Sequence, residues 1–524
     1  MRALLLSMPD SFEHTPALTM RMPNAALTSL AGNVDAHHQV YVADLICVQN
    51  RVAATVRELM AQLRPEVVGL SIMTFQRRTA LGIIRIARDL SPSARVVVGG
   101  YDASLAPEEY ERPESGVDFI VRGEGDLTFR DLLRALERAE PFDGIAGLSW
   151  RRRDGEVVRN PPRPVSRLGD EIRPPNRAAR VLRGYTFLGR HIDIVETSRG
   201  CTYDCSFCSI IEMRGRNFET WAFDRVLADI ADAQRHGART IFIVDDNITL
   251  NVRRFEALCE AIIAAGLNRV DYIVQAMTSS IAAHGEALAP LMRRAGFRYV
   301  FLGIENIVER DLAFLKATAK NTARAGGRAA GNASARACEH IRRNGMFVVG
   351  GLIVGNPDDT CESIEANLAF AREHVDWPYI QHPTPYPGTP MTKDFREHGL
   401  IVNENVDEYD GTTAVVRTRH LAAEDVEFLR WRAERWMKSR HFPNVLRHDP
   451  AFVLRHARRM FAHTFRGCGV RTILGLEDER TAFARYKAIR RRERDYMGPD
   501  APKATRWRSI QYGHGTSSQA ASAP

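Results

Sequence analysis

The stretch RGCTYDCSFCSI, residues 199–210, gathers Cys201, Cys205 and Cys208 in one segment of a chain with only 8 cysteines among 524 residues. Thiolates at this density bind a soft metal or act as a redox pair. A structural zinc site needs a fourth ligand, and no second pair of ligands follows in the sequence. Three thiolates on a four-iron cluster leave one iron open to bind a further molecule. The spacing C-x3-C-x2-C favours such a cluster, with zinc and a redox pair as alternatives.

The cysteines follow the first of a series of apolar runs that alternate with amphipathic segments between residues 189 and 400. The runs are IDIVETS, TIFIVDD, VDYIVQAM, YVFLGIEN, FVVGGLIVG and YIQHPTPY. This alternation predicts a partial (β/α)6 barrel like the TIM barrel, in which functional loops lie at the carboxyl ends of the strands. The cysteine loop is expected at that face.

Residues 1–150 show a similar alternation, with the runs ALLLSM, VYVADLI, VVGLSIM, RVVVGG and VDFIVRG. Continuous apolar runs between helical segments predict a doubly wound, Rossmann-like parallel sheet covered on both faces. Residues 151–188 are rich in proline and arginine and predict a linker. Residues 401–497 predict a mostly helical region, and residues 498–524 a disordered tail. The predicted fold class is α/β.

The composition, 44% hydrophobic with a net charge of +8, predicts packed cores in a basic protein. No apolar run reaches the length of about 18 residues that a membrane span needs, and no signal peptide pattern is present, so we expect a cytoplasmic protein. Arginine is concentrated in the last hundred residues. Solvated helix faces explain this best, nucleic acid is not an expected partner, and peripheral membrane contact stays open.

The cysteine motif, with Phe207 directly before the third cysteine and a six-unit barrel behind it, resembles the radical S-adenosylmethionine (SAM) superfamily. The resemblance implies that the three cysteines are catalytic and hold a 4Fe-4S cluster, that the open iron chelates SAM, and that Phe207 lies against the adenine. One-electron reduction, by a partner such as flavodoxin or ferredoxin, would cleave SAM to a 5′-deoxyadenosyl radical. Further SAM-binding positions implied by the resemblance are Asp245 and Asp246 of VDDN, where the family often has Gly-Gly-Glu, Glu305 of LGIEN, and Gly351 and Gly355 of GLIVG.

The first domain resembles the cobalamin-binding domain of cobalamin-dependent radical SAM enzymes, through residues 64–74, 96–104 and 117–133. In a doubly wound sheet, ligands lie beyond the carboxyl ends of the strands. The cobalamin-binding positions expected there are Ser71, Thr74, Gly99, Gly100, Gly123 and Glu124. The D-x-H-x-x-G motif that supplies a cobalt ligand in many such domains is absent. DAHHQV, residues 35–40, lacks its glycine, so we interpret His37 and His38 as unrelated to cobalt.

The combined resemblance predicts a methyltransferase acting on a poorly activated carbon of a small molecule, such as a lipid, a tetrapyrrole or a natural product. One alternative is an anaerobic oxidative cyclase related to the magnesium-protoporphyrin monomethyl ester cyclase. Another is a non-catalytic cobalamin or redox sensor with a degenerate barrel. A tRNA methylthiotransferase would carry a second cysteine triad in the first domain, which holds only Cys47.

Two further features have no assigned role. Residues 316–337 are unusually rich in Gly, Ala and Arg. There Lys320, Arg324 and Arg328 could hold an anionic group, although a solvated loop is favoured. Cys468 lies among arginines, and we interpret it as a bystander.

Overall fold

The computed structural model describes residues 1–13, 16–152, 154–165, 171–325 and 328–497. Its first part alternates strands and helices as the apolar runs predict. The strands are β1 (Arg2–Ser7), β2 (Met20–Arg21), β3 (Gln39–Asp44), β4 (Val67–Ser71), β5 (Arg95–Gly99), β6 (Phe119–Val121), β7 (Leu148–Arg151) and β8 (Val157–Arg159). The helices are α1 (Ala25–Asn33), α2 (Val52–Leu63), α3 (Arg77–Leu90), α4 (Tyr101–Leu105) and α5 (Gly125–Arg138).

The first sheet has the order β3-β1-β4-β5-β6-β7-β8. Its first five strands are parallel, and β7 and β8 extend it antiparallel. The strand order reverses at β1, and in such sheets ligands bind in the crevice beside the reversal. Helices cover both faces: α3, for example, buries Ala80, Ile83, Ile84 and Ala87 at helical spacing. Strand β8 lies within the segment that the composition predicts to be a linker, because residues 157–159 find a partner in β7 that local composition does not reveal.

The second part of the chain forms a larger set of elements. The strands are β9 (Thr186–Phe187), β10 (Arg190–Val195), β11 (Ser198–Arg199), β12 (Glu219–Thr220), β13 (Thr240–Ile243), β14 (Asp271–Met277), β15 (Phe297–Glu305), β16 (Thr322–Ala325), β17 (Arg328–Asn332), β18 (Phe347–Ile353) and β19 (Trp377–Gln381). The helices are α6 (Ser209–Arg214), α7 (Phe223–Arg235), α8 (Val252–Ala264), α9 (Thr278–Arg294), α10 (Glu309–Phe314), α11 (Thr318–Asn321), α12 (Ser334–Arg343), α13 (Cys361–His374) and α14 (Pro390–Glu397).

The second sheet has the order β19-β18-β15-β14-β13-β10-β9-β2. The six strands from β19 to β10 are parallel, and they curve as an open half-barrel whose apolar core lies under the helices that follow each strand. Strand β2, which precedes the first domain's helices, joins the far edge through β9. The predicted α/β class with a doubly wound first domain and a partial (β/α)6 barrel is confirmed.

The C-terminal region is helical, as predicted, with α15 (Ala423–His448), α16 (Pro450–Thr464), α17 (Val470–Ile473) and α18 (Glu479–Glu493). Among the described residues, no helix has the length and apolarity needed to cross a membrane. The predicted disordered tail, residues 498–524, lies outside the described residues. Residues 316–337, favoured as a loop, instead contain α11 and the β16–β17 hairpin.

Candidate active site

The three cysteines lie on the loop between β11 and α6, beyond the carboxyl end of β10. Cys205 is buried, and Cys201 and Cys208 are half-buried. Burial raises the pKa of the Cys205 thiol to about 11 and that of the Cys208 thiol to about 12. Both thiols are therefore protonated at neutral pH until a metal displaces the protons. Three sulfur donors on one partly buried loop fit a 4Fe-4S cluster in which three of the four irons have cysteine ligands.

Backbone contacts fix the cysteine loop to the half-barrel. The Ser206 amide donates to the carbonyl of Leu315 at 3.0 Å, and its hydroxyl donates to the carbonyl of Phe314 at 3.0 Å. The carbonyl of Ser206 accepts from the Met391 amide at 2.9 Å. The residue between the two closely spaced cysteines is thus bound to segments that follow two other barrel strands.

A buried ion pair lies beside the loop. Lys320 Nζ is 2.9 Å from Glu305 Oε1 and 5.9 Å from the ring centroid of Phe207. Burial opposes the charge on Lys320, but the Glu305 carboxylate and the nearby cysteines raise the lysine pKa above its ordinary value. The amine therefore stays charged beside the cysteine loop. The only sequence signal for Lys320 was its place in the unusual segment 316–337.

Glu305 reaches this position through an uncommon backbone conformation at the end of β15. Its φ is 58°, in the left-handed region that non-glycine residues rarely adopt. A Cβ on Gly303 would lie 2.8 Å from Glu305 Oε1, so only glycine leaves room for the carboxylate. The structure thus brings Phe207, Glu305 and the cysteine loop together, as the motif order led us to expect.

The two acidic residues after β13 have different surroundings. Asp245 is buried and accepts hydrogen bonds from the Thr197 amide at 2.6 Å and the Ser198 hydroxyl at 2.6 Å. These bonds tie β13 to the strand end before the cysteine loop. Asp246 instead accepts from the Gly200 amide at 2.8 Å and lines a cleft between the domains. The contacts of Asp245 are those of a structural residue, whereas Asp246 is accessible to a ligand.

The two glycines of GLIVG also differ. A Cβ on Gly351 would lie 2.6 Å from Phe301 Cζ, on the neighbouring strand β15. Gly355 has a φ of 100°, and its Cβ would lie 2.7 Å from Val426 Cγ1 in α15. Gly355 is therefore required for the turn after β18 and for the approach of a C-terminal helix. Their predicted contacts with SAM stay predictions.

A cleft of about 390 Å³ lies at the carboxyl edge of the first sheet. Its deep part is apolar and lies between the sheet and two helices; this part is lined by Leu5, Leu30, Val97, Val121 and Phe129. Its mouth is lined by most of the predicted cobalamin-binding residues, which are Ser71, Gly99, Gly100, Gly123 and Glu124. Thr74 is buried beside the cleft and does not line it. An apolar slot with a glycine-rich mouth fits a large, flat cofactor with an apolar tail.

The second domain supplies the opposite wall of the cleft through Met213, Arg214, Val244 and Asp246. Met213 and Arg214 end α6, the helix that begins directly after Cys208. The cleft and the cysteine loop therefore share one short helix.

Arginines balance the acidic residues at this boundary. Arg199 lies 2.7 Å from Asp126 and 2.9 Å from Glu196. Arg214 contacts Glu124 and lies 3.8 Å from Asp246. Each arginine thus joins the helix α5 region of the first domain to the cysteine loop region of the second.

Tyr101 is a site residue that the sequence did not single out. It begins α4, lines the cleft, and lies near Asp246 and Cys208. Burial, together with these two groups, raises the pKa of its phenol above the ordinary value, so the phenol stays protonated. A single tyrosine after an apolar run belongs to no recognisable motif. Only the packing of α4 against α6 shows that Tyr101 lies near the cysteine loop.

Two other polar features lie away from the cleft. His37 and His38 precede β3 at the amino edge of the sheet, where His37 Nε2 is 3.0 Å from Glu137. This position agrees with the interpretation that they are unrelated to cobalt. Cys468 Sγ lies 3.2 Å from Arg435 Nη1, within the C-terminal helices.

Comparison with known proteins gives the class of this chain. Residues 17–133 match the family model of the B12 binding domain, and residues 195–371 match that of the radical SAM superfamily. The chain therefore combines a B12 binding domain with a radical SAM domain. The resemblance identified from the cysteine motif and the first domain is confirmed, and so is the prediction of an enzyme.

Individual relatives are similar over most of the chain. An uncharacterized methyltransferase of Pyrococcus horikoshii is 28% identical over 82% of this chain and 90% of its own length. The anaerobic magnesium-protoporphyrin IX monomethyl ester cyclase of Rubrivivax gelatinosus is 25% identical over 69% of this chain and 64% of its own length. The solved structure of the cobalamin-dependent S-adenosylmethionine radical enzyme OxsB has a TM-score of 0.64 at 16% identity, covering 96% of this chain and 76% of its own. This last similarity shows the shared fold.

Proposed function

We propose that this enzyme transfers a methyl group to a poorly activated carbon of a small molecule held between the cleft and the cysteine loop. The cleft and the cysteine loop share one wall, and this observation is the main support for the proposal. Met213 and Arg214 line the cleft, and the helix they end begins directly after Cys208. Groups bound at the two sites would therefore face the same space.

The residues divide into two binding sets. Cys201, Cys205 and Cys208 would hold the 4Fe-4S cluster, with Phe207, Asp246, Glu305, Lys320 and Gly351 around SAM. Ser71, Gly99, Gly100, Gly123 and Glu124 would contact cobalamin. When bound, the cluster with SAM would supply one-electron chemistry, and cobalamin would supply a methyl carrier. Gly355, in the turn after β18, would lie with Gly351 at the SAM site, and the buried Asp245 and Thr74 would support the two sets from behind.

The chain's own contribution is to position the reactants and keep water out. The deep cleft is apolar, and the protonated Tyr101 phenol lies between the cleft and the cysteine loop. Lys320 places a positive charge where an anionic cofactor group or the cluster would benefit from it. The proposal includes a flavodoxin- or ferredoxin-like reductant and a cytoplasmic location, because thiols that must stay reduced are kept so in that compartment.

Anaerobic reconstitution with iron, sulfide and hydroxocobalamin tests the proposal. With a chemical reductant and SAM, the wild-type enzyme should form 5′-deoxyadenosine, and with substrate also S-adenosylhomocysteine. Cys201→Ala should lose the cluster absorbance and SAM cleavage, while the control Cys361→Ala, at an exposed cysteine of α13, should keep both. Retention of the cluster and of SAM cleavage in Cys201→Ala would show that the assignment is wrong.

A second candidate is an oxidative cyclisation of a tetrapyrrole-like substrate. The similarity to the Rubrivivax gelatinosus cyclase favours it. Product analysis separates the two, because a cyclase turns its substrate over without forming S-adenosylhomocysteine. The non-catalytic sensor alternative predicts instead that the reconstituted protein never cleaves SAM.

A further inference from the structure

The C-terminal helices present one surface that is both apolar and basic. Its apolar members are far more exposed than such side chains usually are: Trp436 50%, Leu454 76% and Phe461 56%. We call these three residues, with Arg440, Arg447, Arg455 and Arg458, the basic apolar face. Clustered exposed apolar residues on a folded chain mark an interaction site.

Helix α16 shows how this face arises. Phe452 and Val453 are buried against the half-barrel, so the inner side of the helix is already occupied. Leu454 and Phe461 are seven residues apart and point outward on the opposite side. The packing of α16 on the protein therefore does not explain these two residues.

Ring contacts join α16 to α15. The ring of Phe461 lies 4.6 Å from that of Phe465, which lies 6.3 Å from the exposed Trp436. The aromatic residues of the two helices thus form one continuous patch rather than scattered exposed positions.

The charge of this region has a single sign at the surface. Residues 432–466 contain nine Lys and Arg residues and two acidic residues, Glu434 and Asp449. Both acidic residues are buried. Arg440, Arg447, Arg455 and Arg458 are exposed and form no ion pair with any other described residue. The surface is therefore complementary to an extended negative charge.

We propose that the basic apolar face docks on the surface of an anionic lipid bilayer. Leu454 and Phe461 can insert into the acyl boundary, Trp436 is stable at the headgroup level, and the arginines pair with lipid phosphates. A nucleic acid would also attract the arginines, but it offers no apolar phase for Leu454 and Phe461. Docking would present the enzyme to a lipid-dissolved substrate, independently of the reaction it performs.

Vesicle flotation of the full chain tests this surface without any cofactor. We expect at least tenfold stronger binding to vesicles of phosphatidylcholine with phosphatidylglycerol than to phosphatidylcholine alone, and weaker binding at 0.5 M salt. Leu454→Glu with Phe461→Glu, and separately Arg455→Glu with Arg458→Glu, should each lower binding at least tenfold. The control Leu90→Glu, at a position 51% exposed on the first domain, should bind as the wild type does.

Four results would overturn the proposal. The first is equal binding to neutral and anionic vesicles, and the second is unchanged binding by the Leu454→Glu, Phe461→Glu variant. The third is tighter binding to single-stranded RNA than to anionic vesicles. The fourth is a dimer in lipid-free solution that this double variant converts to a monomer. Because flotation needs neither cluster nor SAM, none of these results bears on the proposed methyl transfer.

Discussion

At the scale of single residues, the Lys320–Glu305 pair shows how a charge is held at the site. The two side chains are 2.9 Å apart and only 16% and 11% exposed. A buried pair contributes little net stability, but removal of one partner leaves an uncompensated charge inside the protein. The pair is thus a device for placing an ammonium group beside the cysteine loop rather than a source of stability.

In the variant Lys320→Met, we expect the free energy of unfolding to fall by about 3 kcal/mol, because Glu305 loses its partner in a buried site. The double variant Lys320→Met, Glu305→Gln should recover most of the loss, since no buried charge remains. Urea denaturation of the three proteins measures both effects. Equal stability of the single and double variants would mean that the pair is not energetically coupled.

At the scale of elements, the two-residue strand β11 joins the domains. Its Arg199 is buried and contacts Asp126 of α5 at 2.7 Å and the Ser29 hydroxyl of α1 at 3.2 Å. A strand this short has little stability of its own, so its position depends on the partner strand β12 and on this arginine.

The corresponding prediction is that Arg199→Met lowers the free energy of unfolding by about 3–5 kcal/mol. The reason is that Asp126 remains buried without its cation. Arg216→Met serves as the matched control. Arg216 also pairs with an aspartate, Asp204, but both side chains of that pair are more than half exposed. The control should change stability by less than about 1 kcal/mol. Chemical denaturation compares the two, and similar losses in both would refute the role of Arg199.

At the scale of the whole molecule, the C-terminal helices return to the first domain. Tyr496 packs in the core of that domain, and Met497 lies beside Gly82 of α3. Arg490 and Arg494 contact Asp410, in the segment between α14 and α15 that follows the half-barrel. The end of the described chain therefore binds the first domain and the half-barrel together around a polar cavity of about 440 Å³.

Asp10 lines this cavity and gives the assembly a pH dependence. Burial raises the pKa of its carboxyl from 3.8 to about 7, and one carboxyl oxygen has no hydrogen-bond partner among the described residues. The folded protein therefore binds this proton more tightly than the unfolded chain does. The contribution of Asp10 to stability is fully present below pH 4 and decreases as the pH rises to about 7.

Asp10→Asn should remove this dependence. We expect the variant to match the wild type near pH 4 and to exceed its free energy of unfolding by about 4 kcal/mol at pH 8. Thermal or urea unfolding at a series of pH values measures the difference. The control Asp89→Asn, at an exposed position of α3, should follow the wild-type profile. A constant difference between Asp10→Asn and the wild type across this range would contradict the assignment.

The sequence predicted those parts of the site that depend on local pattern. The spacing of Cys201, Cys205 and Cys208 indicates the cluster, and the apolar runs indicate both sheets, because strand periodicity and ligand spacing are properties of short segments. Five of the six expected cobalamin positions line the cleft for the same reason, since strand ends can be located from the runs. The interpretation that His37 and His38 are unrelated to cobalt is also local, because it depends only on the glycine of the D-x-H-x-x-G motif that residues 35–40 lack.

Only the tertiary structure could decide which side chains converge. It places Asp246 on the cleft and Asp245 in the interior, brings the side chains of Lys320 and Tyr101 close to the cysteine loop, and packs Tyr496 in the core of the first domain. Residues 157–159 form a strand because β7 offers them a partner, which composition does not record. The sequence by itself determined the elements and their chemistry, since those depend on neighbours along the chain. The packing of distant segments determined the site, since side-chain position depends on neighbours in space.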